Sequence, residues 1–259
     1  MATVASLWIG DSLGEIERAS TLSFLKNGDH FILYVYSPVS NIPDGVEVRS
    51  ASEIMPTHKI FRYKKTGSPA LHADIFRIFL MQKTDYIWVD LDVVSLKSFD
   101  GLGGWIFGKE TDFFVNNAVL KMPREAMALD IISKYSIDFS GIPPFLTGSR
   151  KIRYQIKDFF KGGLSIEDWP WGALGPQLLT YALKQTGEIQ HALPVNAFYA
   201  IGMHQIALFA DPNGIDPSLI PQDAYALHLW GKELRIFLQT HHEGKAPKGS
   251  FIHQLLETQ

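Results

Sequence analysis

The strongest constraint on this chain is the order of its first hundred residues, where short apolar runs alternate with longer segments of helical periodicity. "TVASLWIG" reads as a strand, "DSLGEIERASTLSFLKNG" as a helix stopped by glycine, and "HFILYVYS" as a strand rich in aromatic and β-branched residues. "VEVRSASEIMP" reads as a short third strand and a loop, and "SPALHADIFRIFLMQKT" as a helix entered through Ser-Pro. "DYIWVDLDVVSLKSF" reads as a fourth strand. Such alternation folds as a mainly parallel sheet covered by helices, an α/β class. Beyond residue 100 the pattern loosens. "DFFVNNAVLKMP" reads as strand-turn-strand, "EAMALDIISKYS" and "GALGPQLLTYALKQTG" as helices, and "AYALHLWG" as a late strand. The stretch from "GIPPFLTG" to "WPWG" is poorly periodic and rich in Gly, Pro and aromatics, and is expected to be mobile.

Composition narrows the function. The chain has 259 residues, 46% hydrophobic, enough for one sizeable core. Its net charge of −3 gives no basic face for nucleic acid, so no nucleic-acid partner is expected. The absence of cysteine rules out disulfides and thiolate metal sites and fits a reducing compartment. No apolar run reaches the roughly 20 residues needed to span a bilayer. The N-terminus lacks the basic and apolar regions of a signal peptide, so the expected location is cytoplasmic.

The fourth strand carries the chemistry. Trp8, Ile9 and Gly10 close the first strand, and Asp90 and Asp92 close the fourth. Ligands of parallel sheets bind at the carboxyl ends of strands, so both groups are expected on one rim. Carboxylates two positions apart share a side of an extended chain. At about 4 Å in protein-like surroundings two such charges repel by several kcal/mol. A hard divalent cation, Mg²⁺ or Mn²⁺, removes that conflict. A bare Asp-x-Asp is most often a solvated loop feature, and its place after an apolar strand is what gives it weight here. Phosphatases with D-x-D-x-[TV] after such a strand use the first Asp as nucleophile, and "WVDLDVV" fits. Nucleotide-sugar glycosyltransferases use the pair to hold a metal on the donor diphosphate. In the preceding helix Asp74 and Arg77 stand at i,i+3 on one face of an otherwise apolar segment. Two readings fit: a local ion pair, or a pair whose desolvation cost is offset by sugar hydroxyls.

"HADIFRIFLMQKTDYIWVDLDVVSLKSF" resembles the glycosyltransferases with a D-x-D sugar-binding region, relatives of capsular-polysaccharide, mannosyl- and α1,4-galactosyltransferases. Asp74, Arg77, Asp90 and Asp92 match their S-D-x-x-R…D-x-D pattern, with Ala73 in place of the usual Ser. "SLWIG", "VNNAVLKMP", "GALGPQLLT" and "ALHLWGKELR" resemble further blocks, so the resemblance runs over about residues 4–235. It implies a GT-A fold, with residues 1–259 as one domain: 1–100 a nucleotide-sugar-binding half and 101–259 an acceptor half. It implies a divalent metal and a UDP-sugar donor. The acceptor would be a glycan or lipid-linked glycan in surface polysaccharide synthesis, and the anomeric configuration would be retained. Trp8 and Ile9 would hold the base. Asp92, with Asp90 and His228, would bind the metal, and Asp90 would also contact ribose and sugar. Asp74, Arg77 and Asn117, beside Asn116, would grip the sugar. Gly175 and Pro176 would bring backbone near the donor, and Trp230 would cover the diphosphate. The phosphatase reading would need a second acidic pair, for which Asp211 and Asp216 are the candidates. A non-catalytic sugar-nucleotide-binding module is the third reading.

"TGSRKIRYQIKDFFKGG" sets Arg150, Lys151, Arg153, Lys157 and Lys161 beside Phe159 and Phe160 in a net-negative chain. Either this is a solvated basic face, or it meets an anionic acceptor and gives peripheral association at the inner membrane face.

Overall fold

The structure, a computed structural model, describes residues 1–257. Its elements alternate through the first third of the chain: β1 (Thr3–Trp8), α1 (Glu15–Lys26), β2 (His30–Val35), β3 (Glu47–Ser50), α2 (Ala70–Lys83), β4 (Ile87–Val89) and β5 (Val93–Ser95). A hairpin follows, β6 (Ile106–Thr111) and β7 (Phe114–Lys121), then α3 (Met127–Ser133), α4 (Gly148–Lys161) and α5 (Leu178–Thr186). The chain continues through β8 (Ala226–His228), α6 (Gly231–His241) and α7 (Phe251–Leu256).

Six strands form the central sheet in the order β3-β2-β1-β4-β7-β6. The first four are parallel, and β7 and β6 are antiparallel to their neighbours. The α/β class and mainly parallel sheet expected from the sequence are therefore observed. Helices and loops cover both faces, so the strands read as continuous apolar runs, yet the two-residue period still sorts their side chains. Ala5, Leu7, Ile32, Tyr34 and Trp88 enter one core with α2, α3 and α5. Val4, Phe31, Leu33, Ile87 and Val89 enter the other with Phe24 of α1. A third cluster joins α6 and α7 to Ile16 and Ala19 of α1.

Helix α2 starts where Ser68 Oγ accepts the Ala70 N–H at 3.2 Å and ends where Thr84 Oγ1 donates to the Leu80 carbonyl at 2.9 Å. Both faces of α2 carry buried residues, which is why Asp74 and Arg77 are only 5% exposed.

Several local expectations are corrected. Asp90 and Asp92 do not end a strand. β4 stops at Val89, the chain turns through residues 90–92 with the Val93 N–H on the Asp90 carbonyl (3.1 Å), and β5 begins at Val93. β5 leaves the main sheet to pair with β8. The stretch from Phe114 is one strand, because the turn precedes it. "GALGPQLLT" is not one continuous helix: Gly175 is non-helical (φ −84°, ψ −116°) and Pro176 follows in a widened turn before α5. The segment read as poorly periodic contains the fourteen-residue helix α4, capped by Gly162 at φ 68°. Among the described residues no helix is long and apolar enough to cross a membrane.

Candidate active site

The turn at residues 90–92 is pinned from two sides. The Asp90 N–H donates to the Ala118 carbonyl of β7 at 2.7 Å, one residue past the β4 ladder. On the other side the Asp92 carbonyl accepts the Leu229 N–H at 2.7 Å. Register places Val93 opposite His228, so the short β5–β8 pair delivers the histidine to the aspartates from far along the chain. Asp90, Asp92 and His228 each offer a ligand atom within 4.8 Å of the others.

Asp90 has one oxygen engaged by the protein, and Asp92 has one in a hydrogen bond and the other beside His228. Asp90 Oδ1 accepts Trp88 Nε1–H at 2.7 Å and lies 3.2 Å from Arg77 Nη2. Asp92 Oδ2 accepts the Gly231 N–H at 2.8 Å, while Oδ1 lies 3.5 Å from His228 Nε2. Burial pushes Asp90 up to about 6, with the Asp92 charge adding to the rise and Arg77 opposing it. Burial acts on Asp92 in the same direction, but His228 and the Gly231 N–H outweigh it and bring Asp92 down to about 2. His228 is raised: burial favours its neutral form, and the two aspartates override that preference. Asp90 is thus the strained member, its charge opposed by burial and by Asp92, and a cation would relieve it. Asp90 Oδ2, Asp92 Oδ1 and an imidazole nitrogen are a fitting oxygen-nitrogen donor set for Mn²⁺ or Mg²⁺.

Two local features hold the closing segment. Trp230 sits at φ 55°, an uncommon left-handed conformation for a bulky side chain, of the kind that clusters at functional sites. It is anchored by Nε1–H donation to the Ile201 carbonyl at 3.0 Å and by an edge contact with His228 at 4.4 Å. Gly231 then opens α6 so close to Asp92 that a Cβ there would lie 2.8 Å from the Asp92 Cβ.

Behind Asp90 lies a saturated polar cluster. Arg77 donates from Nε to the Ala73 carbonyl (3.3 Å) and from Nη1 to the Asn117 carbonyl (2.6 Å). Its Nη2 reaches Asp74 at 3.5 Å as well as Asp90, and its guanidinium stands 4.7 Å from the Trp88 ring centre. Asp74 also accepts from Tyr63 Oη–H (3.1 Å) and Asn117 Nδ2–H (3.2 Å). Gly175 backs directly onto this group: a Cβ would fall 2.6 Å from Asp74 Oδ1 and 2.9 Å from Asn117 Nδ2. Asp74, Arg77, Asn117 and Gly175 form the polar wall of a void of about 20 Å³ that is otherwise lined by apolar side chains of α2, β7, α3 and α5 and their flanks.

An open cleft of about 430 Å³ runs past the aspartates. Of the residues singled out from sequence, Trp8, Ile9, Arg77, Asp90 and Asp92 line it. Asp74, Asn117 and Gly175 lie in the cluster behind, and His228 and Trp230 flank Asp92. The Trp8 indole N–H and His228 Nδ1 are buried without a hydrogen-bond partner. Asn116 points elsewhere, donating to Glu110 Oε2 at 2.7 Å, as alternation along β7 requires. Asp211 and Asp216 accept hydrogen bonds within local turns and line no part of the cleft.

Sequence reasoning missed Trp171, Lys232, Arg235 and Glu17, which also line the cleft. Trp171 is 59% exposed, and Arg235 pairs with Glu17. It also missed Tyr199, whose buried hydroxyl has no partner and whose ring stands 5.7 Å from His228. The "WPWG" motif was the one visible signal. The others come from separate segments that only the fold brings together.

No protein-family model matches the chain. The lactosylceramide 4-alpha-galactosyltransferase of Gorilla gorilla gorilla is 28% identical over 177 residues, which cover 62% of this chain and 45% of that protein. The Homo sapiens protein of the same name is 27% identical, with 62% and 41% covered. That of Mus musculus is 29% identical over 144 residues, with 50% and 38% covered. The match thus spans less than half the length of each of these three relatives. Among solved structures, "PaToxG Glycosyltransferase" aligns with a TM-score of 0.45 and 13% identity over 71% of this chain and 68% of that one. Low in identity but agreeing in name, the sequence relatives support a glycosyltransferase family for this chain.

Proposed function

We propose that this protein is a metal-dependent glycosyltransferase. It moves a sugar from a nucleotide diphosphate sugar, most simply a UDP-sugar, to a glycan or glycolipid acceptor with retention of configuration. The observation that carries this reading is the Asp90–Asp92–His228 cluster beside a cleft lined by three tryptophans (Trp8, Trp88, Trp171) and three cations (Arg77, Lys232, Arg235). The relatives are named for α-galactosyl transfer to a lactosylceramide, so UDP-galactose and a glycolipid head the panel of substrates.

Asp90, Asp92 and His228 would hold Mn²⁺ or Mg²⁺. When bound there, the cation supplies Lewis-acid stabilisation of charge on the departing nucleoside diphosphate. The remaining work falls to the chain. The exposed Trp171 and half-buried Trp8 present ring faces to base or sugar, with the Ile9 backbone beside them. Lys232 and Arg235 complement the diphosphate. Arg77 and Trp88 fix the Asp90 carboxylate, and the Asp74–Asn117–Gly175 cluster fixes Arg77, with its edge towards the sugar. Trp230, folded against His228, covers the metal side of the cleft.

Among the described residues lining the cleft, the carboxylates are Glu17, Asp90 and Asp92. Glu17 is held by Arg235 and by the Gly14 N–H. With Asp90 and Asp92 given to the cation and Glu17 held on both oxygens, no carboxylate is left over as a covalent nucleophile, which favours front-face attack with the leaving phosphate accepting the acceptor proton. The same count disfavours a phosphatase, which needs a second acidic pair in the cleft.

The test is UDP release from a panel of UDP-sugars in Mn²⁺, with and without lactose-terminated acceptors, and product anomers read by NMR. UDP release dependent on one donor and on metal is expected. Release of inorganic phosphate from simple phosphate esters, with no UDP release, would overturn the reading.

A further inference from the structure

Helix α4 is an outlier on this surface. Its one fully buried side chain is Tyr154, which packs with Leu146 and Leu164 in a small cluster of its own. Asp158 accepts the Leu164 N–H at 2.7 Å, and Lys161 pairs with Asp168 at 2.6 Å, so the helix is fastened along one side. The opposite side is apolar and bare. Ile152, Ile156, Phe159 and Phe160 are 59%, 53%, 81% and 81% exposed. Their i, i+4, i+7, i+8 spacing puts them in one arc of about 100°, away from Tyr154.

The arc next to it is basic. Arg150, Arg153, Lys157 and Lys161 recur at i, i+3, i+7, i+11 and face a cavity of about 700 Å³ that Lys64 and Lys65 close from across. Lys64 and Lys161 share Asp168. Among the described residues Arg150, Lys151, Arg153 and Lys157 form no ion pair, in a protein of net charge −3.

We propose that α4 is a membrane-docking helix that lies flat on an anionic lipid surface. Its isoleucines and phenylalanines enter the headgroup boundary, and its arginines and lysines meet lipid phosphates. The pattern is that of an interfacial amphipathic helix, an apolar arc with aromatics bordered by cations. Charge complementarity selects the occupant. A second copy docking through the same patch would bring two identical basic arcs together, and like charges across an interface oppose association. An anionic bilayer satisfies both arcs at once. The basic cavity also neighbours the cleft. Trp169 and Pro170 wall the basic cavity while Trp171 walls the cleft, and Lys64 and Lys65 stand four residues from Ser68 and Pro69 in the same way. The inference stands on α4 alone and does not depend on the proposed transfer reaction.

The test is co-sedimentation of the intact protein with phosphatidylcholine vesicles and with vesicles that also contain phosphatidylglycerol. Binding is expected only to the anionic vesicles at about 0.1 M salt, falling by roughly tenfold or more at about 1 M. Phe159→Ser with Phe160→Ser should weaken it by roughly tenfold or more through loss of buried apolar area. Arg150→Gln, Arg153→Gln and Lys157→Gln together should weaken it by roughly a hundredfold. All five side chains are exposed, so unchanged thermal melting would show both variants folded. Equal, salt-independent binding to both vesicle types, or none to either, would overturn the proposal. So would a wild-type dimer that Phe159→Ser with Phe160→Ser dissolves, because it would assign the face to a second copy.

Discussion

Asp74 and Asp90 share one arginine yet differ in everything else that holds them. Asp74 is sealed: Tyr63, Asn117 and Arg77 take its oxygens, and Gly175 leaves no room beside it. Asp90 and its neighbour Asp92 keep side chains 28% and 23% exposed, with Asp90 Oδ2 open and Asp92 Oδ1 shared only with the 3.5 Å His228 contact. The sealed cluster therefore sets geometry, and the open pair binds. A desolvated pair such as Asp74–Arg77 adds little net stability over an apolar substitute, but breaking it is costly. Two carboxylates on an open rim without a cation are repulsive, and that repulsion becomes affinity when a divalent ion arrives.

Substitutions separate the two roles. Asp92→Asn keeps an oxygen for the Gly231 N–H but removes the charge. Transfer should fall by roughly two to three decades, with a loss of folding stability of no more than about 2 kcal/mol, the share carried by the lowered Asp92 pKa. A melt and a rate assay on one preparation check this, and a large loss of stability would move Asp92 into the structural class. Asp74→Asn should do the reverse. It should cost about 3 kcal/mol in denaturant unfolding, with a smaller loss of turnover and near-normal UDP binding. A folded, stable Asp74→Asn protein with a hundredfold loss in kcat would instead put Asp74 on the sugar.

Gly175→Ala sharpens the contrast further. Its Cβ would crowd Asp74 Oδ1 at 2.6 Å, and overpacking of this kind costs about 1–3 kcal/mol. A variant as stable as wild type would show that the widened turn before α5 yields easily and that the cluster is not rigid. The smallest effect is expected on the open side, at the exposed edge of the cleft. Trp171→Ala should raise KM for donor or acceptor by roughly threefold to tenfold with kcat little changed. Unchanged KM for both substrates would remove Trp171 from the binding surface.

The alternation of apolar runs and helical periods made the parallel half of the sheet legible, because β1, β2 and β4 are apolar runs buried on both faces and α1 and α2 separate β1 from β2 and β3 from β4 in sequence. The carboxylate pair was visible for a similar reason, since two charges after an apolar run have no local explanation. What the pair is attached to was hidden. The turn at Asp90–Asp92 depends on Ala118 and Leu229, and the nearness of His228 depends on the β5–β8 register, all contacts between distant segments. Lys232 and Arg235 reach the cleft only because Gly231 starts α6 against Asp92. Helix α4 was obscured differently. Its apolar period is strong but points away from the core, and it lies between stretches rich in glycine and proline that break the helical pattern on either side.

The central claim is that Asp90, Asp92 and His228 form a cation site that works with a nucleotide. Calorimetric titration of Mn²⁺ into the protein with UDP present tests it most directly, in wild type and in Asp92→Asn. The account predicts saturable binding by the wild type, weakened by roughly tenfold to a hundredfold in the variant, together with transfer that EDTA abolishes. Equal Mn²⁺ affinity in the two proteins, or transfer that survives EDTA, would contradict it.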